Sequence, residues 1–215
     1  MQNINWFDHL FNVLSVIIGV SLAFWVNDSA ERTKKEKELS LVIDSFIEEL
    51  TSDSITYAEF QIPDNQNQIQ AINEAVSFLR DDNYDSLITR FERAVNLNNY
   101  HPSSNTFNSL TSSGKLDLID DFQLKQRLTT YHSVLAFEAK HRGQFQVDFY
   151  SDELLPWMIY NLDFVNPDFD VIDKTELSNL LMIYGSLVQN KIRQYELLAF
   201  EAGKLKRKLE AFKNE

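Results

Sequence analysis

Residues 6–26 form one long apolar stretch, WFDHLFNVLSVIIGVSLAFWV, and nothing comparable follows in the rest of the 215-residue chain. At about 1.5 Å of helical rise per residue, this stretch is roughly 30 Å long, which matches the hydrocarbon thickness of a bilayer. Trp6 and Trp25 fall where indole rings favour the two membrane interfaces. The sequence therefore predicts a transmembrane anchor in residues 1–27.

A cleaved signal peptide is the alternative interpretation of this stretch. Such a peptide needs a basic segment ahead of the apolar residues and small residues at a cleavage site behind them. Residues 1–5 contain no Lys or Arg, and the stretch ends in Phe24, Trp25 and Val26. We therefore expect the anchor to be retained.

One face of the predicted anchor helix carries polar and small residues. Spacings of four, three, four and four place them on one stripe: Asp8, Asn12, Ser15, Gly19 and Ala23. The small members allow another helix to approach closely, and Asn12 can hydrogen-bond across such a contact. We expect a helix-packing face that binds other membrane protein subunits or further copies of this chain. The alternative is that Asp8 faces lipid headgroups and that the small residues have no special role.

The composition is typical of one helical domain with a sizeable core. Sixteen Phe, eight Tyr and 44% hydrophobic residues supply the core, whereas five Gly and four Pro are few for a turn-rich β fold. The sequence has no Cys, which excludes disulfides and Cys-ligated metal sites within it. Its net charge of -12 opposes binding to nucleic acid, so we expect no nucleic acid partner.

Helical periodicity continues beyond the anchor, so we expect an all-α fold. Steps of four and three residues predict a helical stalk over residues 28–62, with Asp53 as the one polar interruption among its apolar positions: Leu39, Ile43, Phe46, Leu50, Tyr57 and Phe60. Anchor and stalk should form one helix. Because proline disfavours a helical residue ahead of it, we expect this helix to end before Pro63.

Residues 63–215 are expected to form an antiparallel helical bundle together with the stalk. We predict helices over residues 68–79, 84–95, 105–113, about 121–155 and 174–213. In the middle helix the predicted apolar positions are Leu124, Leu128, Tyr131, Leu135 and Phe145. The last helix begins with Asp173 and Glu176 in capping-box spacing. Its predicted apolar face is Leu177, Leu181, Tyr184, Val188, Ile192, Tyr195, Ala202, Leu205, Leu209 and Phe212.

If the last helix packs antiparallel to the stalk, two basic clusters meet near the membrane. We predict a basic collar that contacts lipid headgroups and consists of Arg32, Lys34, Lys35, Lys37, Lys204, Lys206, Arg207 and Lys208. The alternative is that these side chains belong to ordinary solvated helix faces, interleaved with Glu.

No motif for catalysis, a cofactor or a metal stands out. Glu138 and His141 form a single Glu-x-x-His, whereas di-iron bundles use two such elements, and a surface pair explains it. The nucleophile elbow, the phosphate-binding loop and the His-Glu-x-x-His zinc motif do not occur. We therefore expect no enzyme activity, no cofactor and no metal site.

The segment NTFNSLTSSGKLDLIDDFQLKQRLTTY contains a predicted corner, formed by Phe107, Leu110, Gly114, Lys115 and Leu116. A helix that ends at Gly114 in the left-handed conformation, followed by an apolar residue, makes a sharp change of direction. A structural role is the simplest interpretation. The functional alternative is that Lys115 binds an anion or a partner carboxylate.

Together with VIIGVSLAFWVNDSAERTKKEKELSLVIDSFIEELTSD, this segment resembles an uncharacterised family of single-pass bacterial envelope proteins. The shared pattern falls on Gly19, Asn27, Asp28, Phe107, Leu110, Gly114, Lys115, Leu116, Leu118, Ile119, Leu124, Leu128 and Tyr131. The resemblance covers the first third and the centre of the chain and carries no assigned activity. It implies a single-pass protein of the inner membrane whose helical bundle is periplasmic.

The distribution of basic residues favours the opposite topology. All 20 Lys and Arg follow the anchor, and the positive-inside rule alone places the bundle in the cytoplasm. We take the periplasmic side, which the resemblance implies, as the expectation.

Two function classes remain. The first is an accessory or scaffold subunit of a larger membrane complex, assembled through the anchor. The second is a membrane-tethered sensor whose four-helix-type bundle binds a small ligand. A sensor needs an output domain across the membrane, and only five residues precede Trp6, so we expect the scaffold.

Overall fold

The computed structural model describes residues 6–163 and 173–214, with side chains from Leu10 onward. These residues contain helices and no strand, which confirms the all-α fold. The chain divides into two compact units, Met1–Asp44 and Ser45–Glu215. The second unit thus begins inside the predicted stalk, while the predicted domain boundaries at residues 27 and 62 stay predictions.

Helix α1, Trp6–Ile55, contains the apolar stretch. Among the described residues it provides the one helix near the N-terminus that is long and apolar enough to cross a membrane, by length and composition. None of that window is buried within the protein. Residues such as Phe11, Phe24 and Trp25 are about two-thirds exposed, between 67% and 71%.

The predicted end of this helix before Pro63 is wrong. Helical backbone continues from α1 through a π-helical turn, Thr56–Gln61, into α2, Ile62–Arg80. Pro63 falls in the first turn of α2, directly after the π-helical turn. The wider π-turn, in which Ile62 N–H bonds Tyr57 O, lets the helix pass the proline without ending.

Two short helices follow α2 and are connected by a loop. Helix α3, Tyr84–Ala94, begins where the Asn83 side chain accepts a hydrogen bond from Ser86 N–H at 3.2 Å. Helix α4, Asn105–Ser112, leads to Gly114, which has φ of 68°, and to a 3₁₀ turn, Lys115–Leu118. The predicted left-handed glycine is confirmed.

The middle of the chain is one helical run interrupted by two π-turns. Its parts are α5 (Phe122–Thr129), a π-turn (Thr130–Leu135), α6 (Ala136–Phe149), a second π-turn (Tyr150–Leu154) and α7 (Leu155–Asn161). The first π-turn inserts a residue and rotates the buried face, which becomes Ala139, Gly143 and Gln146. The predicted inward position of Phe145 is therefore wrong, since this side chain is 57% exposed.

Helix α8, Lys174–Lys213, is capped by Asp173, whose carboxylate accepts hydrogen bonds from Thr175 and Glu176 N–H. Its predicted apolar face is confirmed, because all members from Leu177 to Leu209 are buried, and Phe212 is half-buried. Gly185 faces Ile72, and Gly203 faces Ser54. These pairs show that α8 runs antiparallel to the chain from residue 54 to residue 72.

An apolar core lies where α8 meets α2, α3 and α7. It includes Ala75, Leu87, Trp157, Leu181 and Val188, each at most 6% exposed. Burial of each large side chain contributes about 1.5 to 3 kcal/mol to the free energy of unfolding. This core therefore holds α2, α3, α7 and α8 together.

Candidate functional site

The connecting loop, residues 95–104 between α3 and α4, is tied to the helices by buried polar side chains. Its carbonyl and N–H groups bond to residues of α1, α2 and α8. Buried backbone groups need such partners because leaving one unpaired costs about 1 to 3 kcal/mol. The polar residues that hold this loop form the candidate site.

Asp53 of α1 is the first of these residues and is completely buried. Its Oδ1 accepts hydrogen bonds from Tyr100 Oη at 2.9 Å and from Ser103 N–H at 3.1 Å, and its Oδ2 accepts one from Tyr131 Oη at 3.0 Å. Burial raises the pKa of the Asp53 carboxyl, and the three hydrogen bonds oppose this rise. The site therefore joins α1, the loop and the middle helical run through one side chain.

A group of tyrosine rings surrounds Asp53. The Tyr57 ring lies 5.1 Å from that of Tyr100, edge on, and 5.0 Å from that of Tyr195, measured between centroids. Tyr195 Oη accepts from Tyr100 N–H at 3.0 Å and lies 3.2 Å from Tyr100 O, to which it donates. Burial raises the pKa of both Tyr57 and Tyr131, so these phenols stay protonated.

Lys191 of α8 is the second buried charged residue. Its ammonium donates to Asn98 O at 2.5 Å, to Asn99 Oδ1 at 3.3 Å and to Gln146 Oε1. Burial lowers the Lys191 pKa to about 7, and the negative charge of Asp64 opposes this change. Asp64 is itself bound by Arg93 and by Asn98 Nδ2.

A relay of hydrogen bonds extends from Lys191 to the start of the loop. Gln146 Nε2 donates to Tyr184 Oη at 2.8 Å, and Tyr184 Oη donates to Asn96 O at 2.7 Å. Gln68 Nε2 reaches the same carbonyl at 2.5 Å and Ala94 O at 3.1 Å. Asn96 is thus fixed from α2 and α8 together.

The other end of the loop is fixed at the start of α4. Glu49 Oε1 accepts from Thr106 N–H at 3.0 Å and from Thr106 Oγ1 at 2.9 Å, so a carboxylate of α1 caps α4. His132 Nδ1 lies 3.1 Å from Ser104 Oγ, and its ring stacks on Phe107 at 5.1 Å. Burial lowers the His132 pKa to about 4, which keeps the ring neutral at physiological pH.

A cavity of about 540 Å³ lies beside this loop. Residues of α3, of the loop, of the second π-turn and of α7 form its walls, and Leu162 and Asp163 complete them. Phe91, Val95 and Met158 line it and are at most 8% exposed. This volume falls within the range of small-molecule sites.

The predicted packing stripe lies in the first unit. Ser15, Gly19 and Ala23 are all exposed there, and a Cβ placed on Gly19 meets nothing within 4 Å. Ser15 Oγ donates to Phe11 O at 2.9 Å, which satisfies this hydroxyl within its own helix. Asn12 is exposed, and the side chain of Asp8 lies outside the described residues. The packing role stays a prediction.

The two halves of the predicted basic collar belong to different units. In the first half, Lys35 forms an ion pair with Glu31 at 2.8 Å. In the second half, Lys204 lies 3.5 Å from Glu201, and Lys206 lies 3.8 Å from Glu210. Solvent screens surface pairs of this kind, so they contribute little to stability. A lipid contact for either half, including Arg32, Lys34, Lys37, Arg207 and Lys208, stays a prediction.

At the predicted corner, Phe107 and Leu110 are buried and Leu116 is half-buried, while Gly114 makes the turn. The Phe107 ring contacts His132, so the corner rests on the middle helical run. Lys115 is exposed at the surface. Whether this corner also binds a partner stays a prediction.

Sequence reasoning missed most of the polar residues that hold the loop. Asp53 is a polar interruption in an apolar pattern, which is the signal of a buried polar residue. Lys191 carries the same signal, because it lies three residues after Val188 and four before Tyr195 on the buried face of α8. Gln68 and Gln146 carry no comparable signal.

In the part of the chain that the structure describes, no three His, Asp or Glu side chains come together in a way that could hold a metal ion. Glu138 pairs with Arg142 at 3.8 Å, and His141 packs against Phe137 with ring centroids 4.3 Å apart. We found no match for the chain among protein-family models, curated proteins or solved structures.

Proposed function

We propose that this protein is a non-catalytic, membrane-anchored accessory or scaffold subunit of a larger bacterial membrane protein complex. The observation that carries this proposal is the exposed apolar window of α1, none of which is buried within the protein. Such a surface is stable only in lipid or against other apolar helices. Membrane lipid and other membrane subunits, or further copies of this chain, are the proposed partners.

The small-residue stripe of α1 supports assembly through this helix. Ser15, Gly19 and Ala23 leave one face without large side chains, and the space next to Gly19 is open. Interfaces between membrane helices depend on such close approach. We propose that this face packs against a partner helix.

Gly19→Ile tests the packing face, with Ser21→Ile as the matched control. Both variants introduce the same side chain, but Ser21 lies two residues away from Gly19 and thus on the opposite side of the helix. The tagged chain is purified from native membrane in mild detergent, and bound proteins are identified by mass spectrometry. We expect Gly19→Ile to reduce the bound partner about tenfold, which corresponds to about 1.4 kcal/mol.

The control should keep its partner. Equal retention by the two variants would contradict the packing face. Recovery of only a second, differently tagged copy of the chain would specify a homo-oligomer as the assembly.

The resemblance to single-pass envelope proteins supports a location in the inner membrane with a periplasmic bundle. Since the sequence has no Cys, a single Tyr160→Cys substitution provides a unique label, and Tyr160 is 85% exposed. A membrane-impermeant maleimide should modify this Cys in cells whose outer membrane alone is permeabilised. Modification only after lysis of the inner membrane would place the bundle in the cytoplasm.

A second candidate function is the membrane-tethered sensor. The specific observation in its favour is the cavity of about 540 Å³ beside the connecting loop.

A further inference from the structure

The cavity beside the connecting loop has a wall that is fixed before any ligand arrives. Val95, Asn96 and Leu97 supply this wall, and the Asn96 carbonyl is held by Tyr184 Oη and Gln68 Nε2. On other sides Phe91 and Met158 belong to the main apolar core. A preformed wall reduces the ordering cost of binding.

Most of the cavity surface is apolar. Ile88, Phe91, Val95, Leu97, Met158 and Leu162 provide hydrocarbon, and Tyr150 adds an aromatic ring. A hydrocarbon group of a ligand would gain free energy in proportion to the area that it removes from water. The cavity therefore suits a small molecule with an apolar body.

The charged residues among the described lining of the cavity are acidic. Among the described lining residues, Glu92 and Asp163 carry carboxylates and none is Lys, Arg or His. The arginines next to Glu92 on α3 bind other carboxylates. Arg90 Nε lies 2.9 Å from Glu74, and Arg93 pairs with Asp64. Asp163 already has an interaction of its own, so Glu92 is the carboxylate that favours a positive charge over a negative one in this cavity.

We propose that this cavity binds a small apolar amine, with its hydrocarbon body against Phe91, Val95 and Met158 and its ammonium group next to Glu92. The site lies wholly within the second unit, so it does not depend on the scaffold proposal. The purification of the Gly19→Ile variant tests partner binding, and a separate ligand titration tests amine binding, so failure of one proposal is distinguishable from failure of the other.

Methionine methyl groups provide a direct test. The sequence contains three Met, of which Met158 lines the cavity and Met182, 55% exposed on α8, does not. The full chain, labelled with ¹³C at the methionine methyls, is placed in zwitterionic lipid nanodiscs and titrated with octylamine. We expect a saturable shift of the Met158 resonance and no shift of the Met182 resonance.

Octanoate has a similar hydrocarbon length and the opposite charge. We expect it to bind at least tenfold more weakly than octylamine. Equal shifts with both probes, parallel shifts of Met158 and Met182, or no shift of Met158 would each overturn the proposal.

Glu92→Gln tests the position of the ammonium group, with Asp85→Asn as the matched control on α3. Both residues are exposed, and Asp85 does not line the cavity. We expect Glu92→Gln to weaken octylamine binding about fivefold and Asp85→Asn to leave it unchanged. Equal binding by Glu92→Gln and the unaltered protein would overturn the assignment of the ammonium to Glu92.

Discussion

Asp53 and Lys191 are two completely buried charged residues, and both bind the connecting loop, but their surroundings differ. Asp53 accepts three hydrogen bonds, two of them from tyrosine hydroxyls and one from a backbone N–H. Lys191 donates to three oxygen atoms of neutral groups, while the carboxylate that favours its charge, Asp64, is bound by other residues.

The connecting loop is thus held by a buried carboxylate that accepts hydrogen bonds and by a buried ammonium that donates them. Burial dominates at both sites, because it raises the pKa of the Asp53 carboxyl and lowers the Lys191 pKa to about 7. At Asp53 three hydrogen bonds to the carboxylate oppose this cost, whereas at Lys191 the charge of Asp64 opposes it. We therefore expect the Asp53 site to contribute more to stability at neutral pH than the Lys191 site. The following variants test that order.

Asp53→Leu should have the largest effect. The substitution leaves two hydroxyls and one N–H without their acceptor and should lower the free energy of unfolding by about 3 kcal/mol. Urea unfolding of the full chain in mild detergent, followed by circular dichroism, measures this loss. Glu48→Leu, an exposed position on the same helix, should change it by less than about 0.5 kcal/mol. Similar losses in both variants would show that the Asp53 contacts do not stabilise the protein.

The cost of Lys191→Met should depend on pH. Near pH 7 we expect about 1 kcal/mol, because the lost hydrogen bonds are partly offset by removal of a buried charge. Above pH 7 the folded protein loses the Lys191 proton while the unfolded chain keeps it up to its ordinary pKa of 10.5. The stability of the unaltered protein relative to the variant should then rise by up to about 1.4 kcal/mol per pH unit between pH 7 and pH 9.

Urea titrations of both proteins at pH 6, 7, 8 and 9 measure this dependence. Arg193→Met, exposed on the same helix, should show the same pH profile as the unaltered protein. A constant difference in stability between Lys191→Met and the unaltered protein would contradict the lowered Lys191 pKa.

The contribution of the Asp53 carboxyl to stability should depend on pH in the opposite direction. Because its folded pKa is raised, its contribution to stability increases as the pH falls from neutral toward 4.

Tyr131→Phe and Tyr100→Phe compare the two oxygen atoms of Asp53. Removal of the Tyr131 hydroxyl takes away the hydrogen bond to Oδ2 in the buried interior and should cost about 2 kcal/mol. Removal of the Tyr100 hydroxyl leaves Ser103 N–H on Oδ1 and should cost about 1 kcal/mol. Thermal unfolding of the two variants under the same conditions measures the order, and a larger loss for Tyr100→Phe would reverse it.

Gly143→Ala should disturb the Lys191 site slightly. A Cβ at Gly143 would lie 3.1 Å from Asn99 Oδ1, one of the atoms that Lys191 binds, and this conflict should cancel the gain in helix propensity. Gly203→Ala is the control, since its nearest neighbours lie 3.8 Å away. We expect a gain of about 0.5 to 1 kcal/mol for Gly203→Ala and none for Gly143→Ala, measured by urea unfolding. Equal gains would show that Asn99 moves aside without cost.

Much of the fold could be predicted from the spacing of apolar residues and from capping residues. The α8 face from Leu177 to Leu209, the Asp173 cap and the left-handed Gly114 follow local rules. The outward position of Phe145 could not be predicted, because the π-turn at Thr130–Leu135 changes the phase of the helix without a mark in the sequence. The continuation of the helix through Pro63 could not be predicted either, because it depends on the π-turn at Thr56–Gln61, which the sequence does not mark.

The candidate site was harder to predict than the fold. An apolar pattern shows which face of a helix is buried, but it does not show which polar residue meets which loop atom. Tyr184 could be assigned to the core from its spacing, while its hydrogen bond to Asn96 O joins residues 88 positions apart. Such partners depend on how several helices are placed together.

The attachment of Tyr100 to Tyr195 has a consequence for the behaviour of the connecting loop. The Tyr100 N–H donates to the Tyr195 hydroxyl of α8. This amide hydrogen should therefore exchange with deuterated solvent as slowly as the amide hydrogens of the interior helices. A protease that cuts after Tyr100 should likewise act only when the whole bundle opens, although this segment has no regular secondary structure.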